Sequence, residues 1–213
     1  MSNFIKIMLI AVTLVLSPVF SQAEKIVEAS KTDVSLKNEV ENAIGKGLTW
    51  LASKQDAGGW WSQQEHPALS ALSLMSFQGD PSGFYKKKYE GAVNKGYDFL
   101  KTAVKPDGSI YIKDVYINYN TAVCNTAFVV ANRPEFEPII RNARNYIIKS
   151  QHDEGEQGMG DSPYDGGIGY GRTDKNPDLS NTVLALESLY YSRFLKGEKD
   201  QDLNWEAAVK FIT

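Results

Sequence analysis

Gly47-Leu48-Thr49-Trp50-Leu51 decides the fold, because its plan returns three times: a small residue, two variable positions, an aromatic ring, an aliphatic side chain. The copies are Gly96-Tyr97-Asp98-Phe99-Leu100, Ala143-Arg144-Asn145-Tyr146-Ile147 and Ala208-Val209-Lys210-Phe211-Ile212, at intervals of 49, 47 and 65 residues. A fixed period of this size marks a chain built by repeating one supersecondary unit. The long interval holds a glycine-rich stretch from Gly155 to Gly171. A second element follows each of the first three copies, Ser70-x-x-Ser73-Leu74, Thr121-x-x-Cys124 and Thr182-x-x-Ala185-Leu186, always in an apolar stretch. Each unit therefore reads as two helices and a loop, and stacking the units builds the core. The expected class is all-α.

Outward from Gly47, the first helix is expected over about Lys37 to Lys54, where Val40, Ile44, Leu48 and Leu51 form one apolar stripe. Gly47 is expected to admit a neighbouring helix. Gln55 to Trp61 reads as a turn broken by Gly58 and Gly59, and the second helix starts after His66-Pro67, since proline suits the first helical turn. Repeat two runs from Tyr89 to Ala103, turns at Lys105-Pro106-Asp107-Gly108 and resumes near Tyr119 to Ala131. Between turn and helix, Ile110, Ile112, Val115 and Ile117 would support a short extended stretch. Repeat three runs from about Pro138 to Ser150, crosses a loop from Gln151 to Pro177 and resumes with Asp178 or Ser180 as N-cap. Trp205 to Thr213 begins a truncated fourth repeat, so a fragment or one part of a larger assembly is expected.

Residues 1–23 read as a signal peptide: Lys6 in the n-region, an uncharged apolar run from Ile7 to Leu16, and the small-x-small site Ser21-Gln22-Ala23. The mature chain is expected to be exported, periplasmic or secreted, with no stable membrane span after cleavage. Residues 24–36 read as a polar spacer, and 37–213 as the repeat domain. The full chain carries a net charge of −3, and loss of Lys6 makes it more acidic. With no basic face to neutralise phosphates, nucleic acid is excluded as the main partner. Cys124 is the sole cysteine and aligns with Ser73 and Ala185, which assigns it to the core rather than to a disulfide or a nucleophile.

Gln55-Asp56-Ala57-Gly58-Gly59-Trp60 resembles the QW motif of the squalene–hopene cyclase and oxidosqualene cyclase family, with Gln55, Gly58, Gly59 and Trp60 as its structural residues. Asp107-Gly108-Ser109-Ile110 keeps only the Asp-Gly turn, and Gln151 is separated from Gly166-Gly167-Ile168-Gly169-Tyr170-Gly171 by an insertion. Pro177-Asp178-Leu179-Ser180-Asn181-Thr182, with Ala185-Leu186, is similar to exported bacterial proteins that contain prenyltransferase and squalene oxidase repeats. The resemblance covers about Lys37 to Thr213. It implies an α/α toroid of helical hairpins, here an incomplete ring, in which the glutamine bonds helix-terminal backbone groups and the tryptophan packs over the next hairpin.

The chemistry of that superfamily is not legible in these residues. Cyclases protonate an alkene through Asp-x-Asp-Asp, which does not occur in the chain. Protein prenyltransferases hold zinc through Asp, Cys and His, and one cysteine with His66 and His152 forms no matching set. Cys124-Asn125-Thr126-Ala127 is not the Cys-Gly-Glu-Gln of complement-like thioester domains. No cofactor and no metal are expected. Asp153, Glu154, Glu156, Asp161 and Asp165 read as solvated loop charge rather than a calcium loop, and the two histidines as surface groups that aligned repeats would bring to one rim.

Aromatic residues are plentiful in the inter-helix loops, among them Trp60, Trp61, Tyr111, Tyr116, Tyr119, Tyr164 and Tyr170. Trp61, Tyr111, Tyr164 and Tyr170 are the candidates to line a ligand surface, where rings attract apolar groups, cations or sugars. The expected function is a binding toroid for an apolar or isoprenoid-like ligand or a partner protein. The alternatives are a cyclase-like enzyme whose acid lies outside this chain, and an α/α-toroid polysaccharide lyase using one of Arg141, Arg144 or Arg172 as base.

Overall fold

The computed structural model describes residues 33–154, 162–171, 176–197 and 200–213. Residues 1–23, expected to be a signal peptide, most of the expected spacer, Glu156, Asp161 and Arg172 lie outside these. Two compact units divide the chain, Met1–Gly47 and Leu48–Thr213. Helix α1 occupies 33–53 and runs through the boundary, so its first residues take up positions that the sequence assigned to spacer. In the first unit, an added Cβ on Gly47 would meet nothing within 4 Å among the described residues, so the close approach expected at this glycine is not found there. Val40 is exposed; Leu48, which opens the second unit, is buried.

The second unit continues with α2 (Pro67–Gln78), α3 (Phe84–Lys88), α4 (Glu90–Thr102), α5 (Ile117–Ala131), α6 (Glu137–Ile148), α7 (Leu179–Tyr191) and α8 (Trp205–Ile212). Short 3-10 turns lie at Pro134–Phe136 and Arg193–Leu195. The protein is all-α: among the described residues there is no strand, and the stretch expected to extend after Gly108 makes only an isolated bridge between Val104 and Ile110. No described helix is long and apolar enough to cross a membrane. Pro67 sits in the first turn of α2, where a missing amide hydrogen is harmless. Asp178 caps α7 by accepting from the amide of Asn181 at 2.8 Å.

Helices α2, α5 and α7 form one row, α2 against α5 and α5 against α7. Behind it, α4 packs on α2, α6 on α5 and α7, and α8 on α7. The front row is parallel. The Ala68 amide donates to Asn120 Oδ1 at one end of α2 and α5, and Tyr97 Oη joins Gln78 to the Ala127 carbonyl further along. Between α5 and α7, Asn118 and Asn181 both donate to the Gly169 carbonyl, while seven residues on Asn125 donates to Ser188 Oγ at 2.8 Å. All three N-termini therefore lie on one rim.

The repeated sequence elements correspond to repeated contacts. Gly59, Gly108 and Gly166 have φ of +99°, +90° and +85°, a region that glycine alone enters freely. A Cβ there would lie 2.6, 2.2 and 2.1 Å from the carbonyl oxygens of Lys95, Asn142 and Ala207. Those three residues immediately precede Gly96, Ala143 and Ala208, the small residues of the first pattern. Each turn is thus pressed onto the backbone of the next hairpin. Gly47 has no such partner because no repeat precedes it among the described residues.

Two residues beyond each of these glycines, the amides of Trp61, Ile110 and Ile168 donate to the hydroxyls of Ser70, Thr121 and Thr182 at 2.9, 2.9 and 2.8 Å. This is why the second pattern opens on a hydroxyl residue: a buried amide must find an acceptor. Thr121→Val keeps the shape and removes the acceptor, so thermal unfolding is expected to show a loss of about 1–3 kcal/mol. Thr121→Ser, which retains the oxygen, is expected to recover most of it. Equal stability of the valine and serine variants would remove the bond from the account.

Ala71 in α2 and Ala122 in α5 are fully buried, whereas their counterpart Val183 in α7 is 39% exposed, together with Leu179 and Tyr190 on the same face. Among the described residues, α7 keeps an apolar face open.

Candidate functional site

The loops after α1, α4 and α6 deliver the chain to the shared rim, and there they gather rings. His66 immediately precedes α2, and its imidazole lies 5.9 Å from the Tyr116 ring. Tyr116 precedes α5 and stands 5.7 Å from Tyr170, which is in turn 6.2 Å from Tyr119. Four aromatic side chains from three consecutive loops and the first turn of α5 thus form one run. Tyr116 is 53% exposed, and the other three are half-buried. These separations and tilted or edge-on geometries are those of mutually attractive rings.

Two features hold the run in place. Tyr116 has φ +51° and ψ +40°, a left-handed conformation that a bulky side chain enters at a cost and that persists only where surroundings enforce it. The enforcing contacts are its carbonyl, which accepts from Asn120 at 2.8 Å, and the bond from Asn118 to the Tyr170 carbonyl at 3.0 Å. Tyr170 also lies near enough to Asp178, the cap of α7, to influence its carboxyl. The amide of Asn181 is the main influence holding the Asp178 carboxyl below the usual range; burial opposes it, and the Ser180 hydroxyl and Tyr170 reinforce it. Burial, with smaller effects from Tyr170 and Cys124, raises the Tyr119 hydroxyl above its ordinary value. Across the mouth, Lys113 pairs with Glu65 at 3.1 Å, but both side chains are exposed and the pair contributes little.

Of the four aromatic residues singled out from the sequence, only Tyr170 belongs to this run. Trp61 is 3% exposed and is a core residue: its indole Nε1 donates to the Leu51 carbonyl at 2.8 Å and its ring lies 6.1 Å from Phe77. Tyr111 is half-buried against the cluster around Ile117 and Tyr146, with Lys105 Nζ 4.8 Å from its ring centre. Tyr164 is 41% exposed on the loop after α6. Tyr116 and Tyr119 had a sequence signal, a separation of three residues at the start of a helix, which puts both on one face. His66 had only its place before Pro67.

The Gln-Gly-Trp turn is a joint between hairpins. Gln55 Nε2 donates to the Gly59 and Ala92 carbonyls, both at 2.9 Å, so it ties its own turn to α4. Gln151 does the same two layers later, donating to the Gly166 carbonyl at 3.1 Å and the Asn204 carbonyl at 2.9 Å while its Oε1 accepts from the Asn204 amide. Gly58 leaves room for the Trp60 ring, which would overlap any Cβ, and that ring packs 5.6 Å from Phe99 of the next hairpin. Val104 takes the glutamine position in repeat two and lacks the side-chain bonds.

The remaining candidates are engaged elsewhere. Arg144 is buried, donates to Ser192 Oγ at 2.8 Å and the Leu189 carbonyl at 2.6 Å, and so satisfies the end of α7; burial holds its pKa below the usual arginine value. Arg141 donates to the Leu195 carbonyl. The Cys124 thiol is fully enclosed in α5, and burial pushes it far above the ordinary range. The backbone of His152 pairs with Gly166 and Gly167. Asp153 accepts from Asn204 and Asp165 from the Glu154 amide, which gives two of the loop acids a structural use. Among the described residues no three His, Cys, Asp or Glu side chains gather to hold a metal ion. Compared with models of protein families, with curated proteins and with solved structures, the chain finds no match in any of the three.

Proposed function

We propose that this chain is an exported, ligand-binding helical repeat protein of the α/α-toroid kind, without the known catalytic motifs of that group, and that its contact surface is the aromatic rim of α2, α5 and α7. The observation that carries the reading is the run His66–Tyr116–Tyr170–Tyr119, with Tyr116 held half-exposed in a left-handed backbone. A strained aromatic residue at the mouth of three parallel helices is costly for stability alone and is of use where rings must face outward. Support for the toroid comes from the parallel front row backed by a second row, and from Gln55 and Gln151 clamping successive hairpins as the resemblance implies. Ring faces of three tyrosines and a histidine, brought together at the rim, favour an apolar, isoprenoid-like chain over a charged ligand.

Calorimetric titration with farnesol, a fifteen-carbon isoprenoid alcohol, tests this directly. The wild-type chain is expected to bind, and Tyr116→Gly, which removes the ring while easing the backbone, to bind about tenfold more weakly. Absence of farnesol binding up to its solubility limit, or unchanged affinity in Tyr116→Gly, would overturn the rim reading.

A further inference from the structure

On another part of the second unit, a cleft of about 240 Å³ is lined by Gly83, Lys86, Lys87, Glu90, Val93 and Arg133. We propose that it is a binding site for a small dianion of the phosphate or phosphomonoester class, gripped by the Arg133 guanidinium and closed by Lys86 and Lys87.

Arg133 is placed by the backbone. Asn132 ends α5 at φ +51°, and Arg133 then leaves in an extended conformation, φ −115° and ψ 122°, into the Pro134–Phe136 turn. Its guanidinium is fixed on two sides. One nitrogen, Nη2, donates to Asn94 Oδ1 at 2.6 Å, and the plane sits 5.0 Å from the Tyr97 ring centre and 5.6 Å from that of Phe136. Asn94 is its sole hydrogen-bond acceptor among the described residues, which leaves most of its five donors unused. A held planar fork with free donors binds a tetrahedral oxyanion through two parallel bonds and has little side-chain entropy left to lose.

The two lysines complete the charge. Asp80 organises the start of α3, the short helix that carries them, accepting from the Ser82 hydroxyl at 2.7 Å and from the amides of Ser82, Tyr85 and Lys86. Among the described residues neither Lys86 nor Lys87 pairs with a carboxylate, whereas the neighbouring Lys88 is drawn over the Tyr85 and Tyr89 rings. Glu90 is the single acid of the lining, so the three cations leave a net charge of two positive units, the complement of a dianion. The volume lies below the roughly 300–1,000 Å³ of pockets that enclose drug-sized molecules, which limits the occupant to a small group. This cleft is lined by none of the rim residues, so it stands or falls independently of the proposed function.

Calorimetry of the full chain with inorganic phosphate and with phenyl phosphate, in low-salt buffer where exposed lysines are least screened, is the test. Binding with Kd at or below about 1 mM is expected. Arg133→Gln is expected to weaken it about tenfold or more, and Arg133→Lys to fail to rescue it, because an ammonium cannot form the fork. The double variant Lys86→Ser/Lys87→Ser changes only exposed side chains and is expected to weaken binding about fivefold; it carries the test alone if an Arg133 variant does not fold. Tighter binding of phenyl phosphate would identify a phosphomonoester site, and equal binding a free-phosphate site. No binding of either probe up to about 10 mM, or binding unchanged in the double lysine variant, would overturn the proposal.

Discussion

Gly166→Ala and Gly108→Ala are each expected to cost about 3–5 kcal/mol, among the largest single-residue effects in this protein, although neither residue has a side chain. Two penalties combine. The backbone at each site has φ near +90°, where any side chain is strained, and the new Cβ would lie 2.1 Å from the Ala207 oxygen or 2.2 Å from the Asn142 oxygen. Neither oxygen is the end of a flexible side chain. Each belongs to the backbone of a helix, α8 or α6, so relief requires a whole hairpin to shift against its neighbour. A thermal melt is expected to drop by roughly 6–20 °C for a domain of this size. Two other glycines are the controls. Gly83 also has positive φ, at +66°, but open space around it, and Gly83→Ala is expected to cost only about 1 kcal/mol. Gly47 is helical and open, and Gly47→Ala is expected to stabilise by up to about 1 kcal/mol. If Gly108→Ala melted no lower than Gly83→Ala, the turn-on-backbone contact would not be what joins the hairpins.

Trp61→Ala is expected to be as severe, at about 3–5 kcal/mol, and to appear in stability rather than in ligand binding. The ring fills the space between Phe77 and Gly96, where it leaves no room for even one added carbon, and its indole hydrogen satisfies the Leu51 carbonyl. Truncation would leave a large cavity and remove one of the bonds to the Leu51 carbonyl, which also accepts from the Lys54 amide at 2.9 Å. Its neighbour Trp60 is half-exposed over Phe99, and Trp60→Ala is expected to cost about 1–2 kcal/mol. Chemical denaturation of the two variants, with farnesol titration of whichever stays folded, separates the roles. A Trp61→Ala protein of near-native stability that had lost farnesol affinity would restore this residue to the ligand surface.

The adjacent tryptophans show where sequence reading reaches its limit. Both sit in one glycine-containing turn, where the sequence reading gave Trp60 a structural place and Trp61 a ligand surface. Their different fates depend on Ser70 and Gly96: Ser70 Oγ accepts the Trp61 amide and the bare Cα of Gly96 admits its ring. That difference arises between segments far apart in the chain. Tyr111, Tyr164 and Tyr170 repeat the lesson, since only Tyr170 meets partners from other loops.

What the sequence by itself determined is the part of this protein governed by local and periodic physics. Four copies of one pattern announced helical hairpins, and Pro67 and Asp178 marked helix starts because a proline or a carboxylate suits the amides left free there. The repeated small residue led to one expected close contact, at Gly47, where an added Cβ would meet nothing within 4 Å; the close contacts lie beside Gly96, Ala143 and Ala208 instead. Only the tertiary structure decided what those contacts are: a turn glycine of one hairpin against the carbonyl beside the next small residue, and a hydroxyl receiving the amide that follows. It also decided the aromatic rim and the Arg133 cleft, which join residues from separate hairpins and loops. A repeat period states that units stack; the direction of each side chain at the joint depends on backbone angles and neighbours that the period does not encode.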